Sequence, residues 1–200
     1  MTTLPTEPVV LAIVGSTTFV DLSALAAAEE IIEGVFARRR PDLVVSGGAE
    51  GIDSLGVALA KKHGIPHREH LPTVRQWNGP GGFQERNLLI AGECTRILRI
   101  ACRWSKTYGS GWTTDQAEKQ GALAWRVTLP RTVEAGALWV PMGRATVGVE
   151  VRDGRVVAAP PYARKLGWIG RDVDGLVKEL QAKRVGVRWL PGASSEDEIE

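Results

Sequence analysis

The sequence predicts an α/β protein, a doubly wound parallel sheet followed by a small C-terminal α+β (ββαβ) appendage. Three observations carry this reading. Short apolar runs at 9–14 (VVLAIV), 43–46 (LVVS), 96–101 (RILRIA) and 124–129 (AWRVTL) have the length and β-branched content of buried strands. Stretches of helical periodicity separate them. After Pro130 the pattern changes to two-residue alternation around Asp153-Gly154, the signature of a type I′ hairpin.

The elements follow in order. After VVLAIV, the loop GSTTFVD leads to a helix from Leu22 to about Arg39, with Leu25, Ala28, Ile32 and Phe36 at helical spacing and cations in its last turn. LVVS is followed by the glycine-rich turn GGAEG at 47–51 and a helix from Ile52 to His63, with Gly64 as the C-terminal cap. IPHREH is a less apolar strand, suited to a sheet edge. A long loop covers 72–84, a length that in compact domains often signals function. A short helix from Glu85 to Ala91 precedes RILRIA. A polar, glycine-bearing loop at 105–112 then leads to a helix from Thr114 to Gln120 and the last strand of the unit. This strand–helix alternation gives a Rossmann-like parallel sheet with helices on both faces. In the remainder, strands flank Asp153-Gly154, PPY at 160–162 breaks the chain, Asp172 caps a helix to Lys183, and VRWL at 187–190 is a final strand. The expected division is 1–130 for the nucleotide-binding domain, 131–193 for the appendage and 194–200 for an acidic disordered tail.

Bulk properties narrow the function classes. Two hundred residues with 44% hydrophobic and 24% charged content are ordinary for a globular chain. The formal charge is +2, and SSEDEIE at the end holds four acids, so the body is mildly basic. That suits phosphate-bearing ligands and falls short of a dedicated DNA-binding domain. Cys94 and Cys102, with His63, His67 and His70, have no metal-ligand spacing, so no metal site is legible. Neither a signal peptide nor an 18-residue apolar run occurs, which makes a cytoplasmic location without membrane contact the expectation.

Three strand-end loops are the candidate site, because ligands of open α/β sheets lie beyond the carboxyl ends of the strands. In the first, Gly15 permits close backbone approach, and Ser16 and Thr17 offer hydroxyls. In the second, Ser46, Gly47 and Gly48 precede a helix whose first turn holds Asp53. Free amides and a positive dipole end there favour an anion. The glycine spacing is neither a dinucleotide fingerprint nor a Walker A loop. In the third, Ser110, Gly111, Thr113 and Thr114 form a hydroxyl-rich cradle before a helix, with Trp112 as a base-stacking platform or a lid over the core. Arg86 and Asn87 follow the long loop. A cation at a helix start opposes the macrodipole, and a bound phosphate would offset it. The plainer alternative for Arg86 is a salt bridge to Glu85 or Glu93.

Taken together, VVSGGAEGID (44–53), GFQERNLLIAG (82–92) and SKTYGSGWTTDQA (105–117) resemble the SLOG superfamily of Rossmann-like domains, which includes the Smf/DprA DNA-processing proteins and the Lonely Guy phosphoribohydrolases. The first two strings resemble the Smf/DprA branch. GSTTFVD and Trp77 resemble the YspA-like branch, common in bacteria and phages. The resemblance spans about 9–129. It implies a pocket for a nucleotide or nucleotide-derived ligand built from Gly15, Ser16, Ser46, Gly47, Gly48, Asp53, Arg86, Asn87, Gly109, Ser110, Gly111 and Thr113. The Lonely Guy motif PGGxGTxxE ends in a catalytic glutamate, but here Gln116 or Ala117 stands at that place.

The leading expectation is therefore a sensor or carrier of a nucleotide-derived, phosphate-bearing ligand, or an accessory to DNA processing. A second is a nucleotide hydrolase of phosphoribohydrolase type, with Asp53 or Asp115 as the acid–base group. A third is a single-stranded DNA binder using Arg96, Arg99, Arg103 and Lys106, with Trp104 and Trp112 for stacking. Homo-oligomerisation is left open.

Overall fold

Beyond the ends of β1 (Val10–Gly15) and β4 (Arg96–Cys102) the order of strands in the sheet reverses, and that reversal positions the candidate site. The computed structural model describes residues 7–21, 23–130 and 133–192. The expected helix start at Leu22 and the acidic run 194–200 lie outside them. The chain divides into two compact units. One comprises the residues up to Thr18 with Leu25–Ala101 and Lys106–Thr128; the other comprises Phe19–Ala24, Cys102–Ser105 and the residues from Leu129 onward.

The first unit is a five-stranded parallel sheet. With β2 (Leu43–Ser46), β3 (His67–Glu69) and β5 (Leu123–Leu129), the order is β3-β2-β1-β4-β5. Helices α1 (Ala24–Arg38), α2 (Ile52–Lys62), α3 (Phe83–Glu93) and α4 (Tyr108–Lys119) connect successive strands. The chain steps outward from β1 through β2 to β3, then returns past β1 to β4 and β5. Two layers of helix result. On one face Ala12 and Val14 of β1 pack with Ile90 and Ala91 of α3 and Ala117 of α4. On the other, Ile13 meets α2 at Gly56, where even a Cβ would lie 2.8 Å from the Ile13 side chain. β1 is central because both of its faces are apolar: Leu11, Ala12, Ile13 and Val14 are all buried. β3 lies at the edge, all three of its residues exposed, as its weak apolar content led one to expect.

Two helices begin earlier than the sequence suggests. α3 starts at Phe83 rather than Glu85, and α4 starts at Tyr108 rather than Thr114. The glycines and hydroxyls of GSGWTT read as a loop, yet Gly111 N donates to Thr107 O, and the Thr113 and Thr114 hydroxyls donate to Gly109 O and Ser110 O, each at 2.8 Å. Hydroxyls bonded back along a helix in this way are compatible with helical geometry. Packing of Thr113, Thr114 and Ala117 in the interior then overrides a poor local propensity.

The second unit is a four-stranded antiparallel sheet, β8-β7-β6-β9, formed by β6 (Ala135–Met142), β7 (Ala145–Arg152), β8 (Arg155–Ala158) and β9 (Arg188–Pro191). Asp153 and Gly154 both have positive φ, 49° and 71°, as the hairpin turn between β7 and β8 requires. The expected ββαβ order is incomplete. β6 precedes it, obscured in the sequence by Gly136 and Pro141, which interrupt the alternation of Leu138 and Val140. PPY does not simply break the chain but starts the short helix α5 (Pro161–Arg164). α6 (Val173–Ala182) buries Val173, Leu176, Val177 and Leu180 against Leu138, Val149, Val151 and Trp189. Asp172 caps it, its carboxylate accepting from Gly175 N at 2.7 Å. Asp172→Ala should lower stability by about 1 kcal/mol, read as a shift of the urea midpoint without loss of cooperativity.

Candidate functional site

At the strand reversal a cleft of about 190 Å³ opens beyond the carboxyl ends of β1 and β2, lined in part by Gly15, Thr17, Ala49, Asp53, Arg86, Asn87, Lys106 and Ser110. All of its lining belongs to the first unit. This is where a doubly wound sheet places its ligand.

The site is organised around one buried carboxylate. Asp53, in the first turn of α2, is 5% exposed. Its Oδ1 accepts from Gly15 N and its Oδ2 from Gly47 N, each at 3.1 Å, and the Ala49 amide also acts on it. The anion that gathers the backbone amides of the first two strand-end loops is thus a side chain of the protein itself. This corrects the expectation that those amides are free for a ligand. Gly15 and Gly47 are glycines because protein, not ligand, approaches them closely. A Cβ on Gly15 would lie 2.1 Å from Ile100 O, and one on Gly47 would lie 1.6 Å from Arg86 Nη1 and 2.8 Å from Asp53 Oδ2. The Ser16 amide is likewise spent, donating to Ile100 O at 3.1 Å. Ser46 Oγ accepts from Gly48 N, and Gly48 needs its positive φ of 66° for the turn.

Arg86 stands opposite Asp53. Its Nη1 donates to Gly47 O at 2.7 Å, and its guanidinium lies 5.6 Å from the Phe83 ring centroid. Neither Glu85 nor Glu93 pairs with it. Glu85 accepts from Gly81 N, and Glu93 is taken by Arg68 and His70. The macrodipole conflict inferred for Arg86 is offset by Asp53 and a carbonyl instead. Burial pulls the arginine's affinity for its proton down, and Asp53 restores part of it. Burial pushes Asp53 up to about 6, against the opposing pull of Arg86 and the three amides. At neutral pH the carboxylate is therefore ionised and internally compensated.

Asn87 is 4% exposed, lines the cleft, and makes no side-chain hydrogen bond among the described residues. Facing it, the amino end of α4 brings Thr107, Gly109, Ser110 and Thr113 to the cleft, with no acid in its first turn. Its unpaired amides and dipole supply positive potential there. Lys106 adds a second cation with no carboxylate partner among the described residues. Trp77, from the long loop, forms an aromatic wall against Tyr108 and Trp112, at centroid distances of 5.0 and 5.7 Å.

Of the residues expected from sequence, the structure brings Gly15, Asp53, Arg86, Asn87, Gly109, Ser110 and Thr113 into one cleft. Ser16, Ser46, Gly47, Gly48 and Gly111 stand outside its lining. Asp115 is exposed on α4 and paired with Arg126 at 2.9 Å, away from the cleft. Arg99 supports α4 from below, its guanidinium donating to Thr107 Oγ1 at 2.8 Å and to Ser110 Oγ at 3.4 Å. In the second unit Arg103 and Trp104 both bond to Asp174, so two of the residues expected to form a strand-binding surface are engaged internally. Thr17, whose hydroxyl the sequence offers at the first strand end, also lines the cleft, whereas sequence reading did not place Ala49, Phe83, Lys106 and Thr107 among the pocket residues. Lys106 and Thr107 carried a signal, since they stand just before a helix at a strand end.

The described residues define a Rossmann-like α/β fold carrying a small antiparallel sheet. No family model and no curated protein matches the chain. Among solved structures the chain is similar to the X-ray structure of DNA processing protein A (DprA) from Streptococcus pneumoniae, with 22% identity over 60% of this chain and a TM-score of 0.45. The match spans 50% of that chain. Among the described residues no helix is long and apolar enough to cross a membrane.

The raised proton affinity of Asp53 has a definite sign. Between about 4 and 6 the folded state holds more protons at Asp53 than the unfolded state. Its contribution to stability is therefore full below pH 4 and is lost as pH rises through about 6. Relative to Asp53→Asn, the wild type should lose about 2 kcal/mol between pH 4 and pH 7. Urea midpoints of both proteins at the two pH values check this, and a pH-independent gap would contradict it.

Proposed function

We propose that the first unit binds a nucleotide-type, phosphate-bearing small molecule in the cleft at the strand reversal. One observation carries the reading: two cations, Arg86 and Lys106, the unbonded carboxamide of Asn87 and the amino end of α4 surround a single space walled by Trp77. The only acid in the lining, Asp53, is neutralised from within. The cleft thus presents net positive potential, unspent donors and an aromatic face, the three requirements of a nucleotide.

The mode of binding differs from a glycine-loop cradle. With the Gly15 and Gly47 amides held by Asp53, and the Ser110 hydroxyl donating to Thr107 O, the phosphate is met by Lys106, Thr17, the first-turn amides of α4 and the outer edge of the Arg86 guanidinium. At about 190 Å³ the cleft is smaller than the ~300–1,000 Å³ of drug-sized sites. It takes the phosphate and sugar of one nucleotide, with the base lying on Trp77 at its open side.

The motif resemblance to SLOG domains, including the YspA-like branch, supports the same reading, with residues 1–130 as the nucleotide-binding domain and a sensor, carrier or DNA-processing accessory role. Such a role does not require hydrolysis. Asp53 accepts one backbone amide on each carboxylate oxygen and so serves to tie two loops together, and Asp115 stands outside the cleft.

The test is a calorimetric and thermal-shift panel of nucleoside mono- and diphosphates, cyclic nucleotides and ADP-ribose. At least one should bind saturably. Lys106→Glu, at an exposed position, should weaken it at least tenfold, about 1.4 kcal/mol, while leaving the melting temperature of the free protein unchanged. Arg86→Ala should abolish binding but also destabilise, so Lys106→Glu is the decisive variant. No binding across the panel, or undiminished binding to Lys106→Glu, would refute the reading.

A further inference from the structure

We infer a second ligand site in the first unit, at the amino ends of its strands, that takes an amphipathic organic anion: an extended aliphatic chain ending in a carboxylate or phosphate. The sheet face opposite α3 and α4 is flanked by α1, but a groove of about 490 Å³ remains open over β1, β4 and β5. Its floor and walls are apolar, formed by Leu11, Ile31, Val35, Leu98, Trp125 and Val127.

One end of the groove is basic. Arg38 and Arg39 stand at the end of α1, which feeds the start of β2, and Arg96 is the first residue of β4. All three therefore stand at the amino ends of the strands, opposite to the nucleotide cleft. None of the three side chains has a hydrogen bond or a carboxylate partner among the described residues. Arg96 instead lies over the Trp125 ring, 5.8 Å from its centroid. A fourth arginine on the lining, Arg126, is by contrast fully engaged with Asp115 and Glu118. The chain thus pairs the one guanidinium whose carboxylates lie on α4 and leaves three unpaired around the end of an apolar trough.

The shape selects the occupant. A head group meets Arg38, Arg39 and Arg96, and an apolar tail runs from them over Leu98 and Trp125 to Val127. On β5 the lining extends from Ala124 to Val127, three strand steps that span roughly 10 Å, the reach of a tail of about nine carbons. The volume lies within the ~300–1,000 Å³ of small-molecule sites. A two-fold contact of this chain centred on the basic end would set the three unpaired guanidiniums against their own copies. A nucleic acid would find one aromatic ring and an otherwise aliphatic floor.

The test uses the whole chain with decanoate and decyl phosphate below their micellar concentrations, and with decanol and decyltrimethylammonium as controls. At least one of the two anions should bind saturably and change the fluorescence assigned to Trp125 by comparison with Trp125→Phe. Decanol and the cation should bind at least roughly tenfold more weakly, and so should the anion to Arg38→Glu/Arg39→Glu, since loss of the charge partners removes the head-group term. Both arginines are exposed, so that variant keeps its fold, which the melting temperature of the free protein verifies. Lys106→Glu should leave this binding unchanged, which separates the groove from the nucleotide cleft. The inference is overturned if neither anion binds, if decanol binds as well as the anions, or if light scattering shows a dimer that the anions fail to enter or dissociate.

Discussion

A carboxylate taken out of water holds the carboxyl end of this sheet together. Asp53 draws the amides of Gly15 and Gly47 towards itself and thereby ties the end of β1 to the end of β2 through the first turn of α2. Desolvating a carboxylate costs several kcal/mol, and charge-assisted bonds from backbone amides, each about 1.5–3 kcal/mol, offset part of that cost, so burial still raises the carboxyl to about 6. Arg86 adds the opposing charge from α3 and anchors itself on Gly47 O. Three elements distant in sequence are thus fixed by one ionised group. The glycines at 15 and 47 are consequences of this arrangement, because any side chain at either would collide with the partners that meet there.

This constraint shapes what the cleft can do. A strand-end loop with free amides is the usual anion cradle of doubly wound folds. Here two of those loops are satisfied from within, and the capacity for a ligand passes to the third, the amino end of α4, and to side chains. Lys106 and Asn87 carry no internal obligation among the described residues, and Trp77 is braced from behind by Tyr108 and Trp112. Arg99 beneath α4 holds Thr107 and Ser110 in place, an arrangement that pre-orients the wall opposite Arg86. The cleft is therefore rigid on the Asp53 side and chemically available on the α4 side.

The second unit follows different physics. Its sheet is antiparallel, one face covered by α6 and the other carrying half-exposed residues such as Trp139 and Leu190. Its core rests on Leu138, Val149, Val151, Leu176 and Trp189, with Asp174 tying Arg103 and Trp104 into it. Two short pieces of chain that interrupt the parallel sheet, Phe19–Ala24 and Cys102–Ser105, belong to this unit. Val20 O, for instance, accepts from Trp189 N at 2.7 Å.

Local pattern alone determined a good deal here. The buried strands at 10–15 and 43–46, the edge character of 67–69, the Asp153-Gly154 turn and the Asp172 cap were all readable, because each depends on residues adjacent in the chain. Arg86, Asn87 and Asp53 were identifiable as unusual, since polar groups at strand ends and in first helical turns stand out against an apolar background. What each of them binds was not readable. Whether an amide at Gly15 faces a ligand or Asp53 is decided by a contact across 38 positions, and whether GSGWTT is loop or helix is decided by burial of Thr113 and Ala117. β6 was missed for a related reason: glycine and proline weaken its alternation, and only pairing with β7 and β9 on either side makes it a strand. Sequence determines which groups are available and where the chain turns. Tertiary structure decides which of those groups satisfy one another and which are left for something else, because a hydrogen bond within the protein and a hydrogen bond to a ligand draw on the same donors.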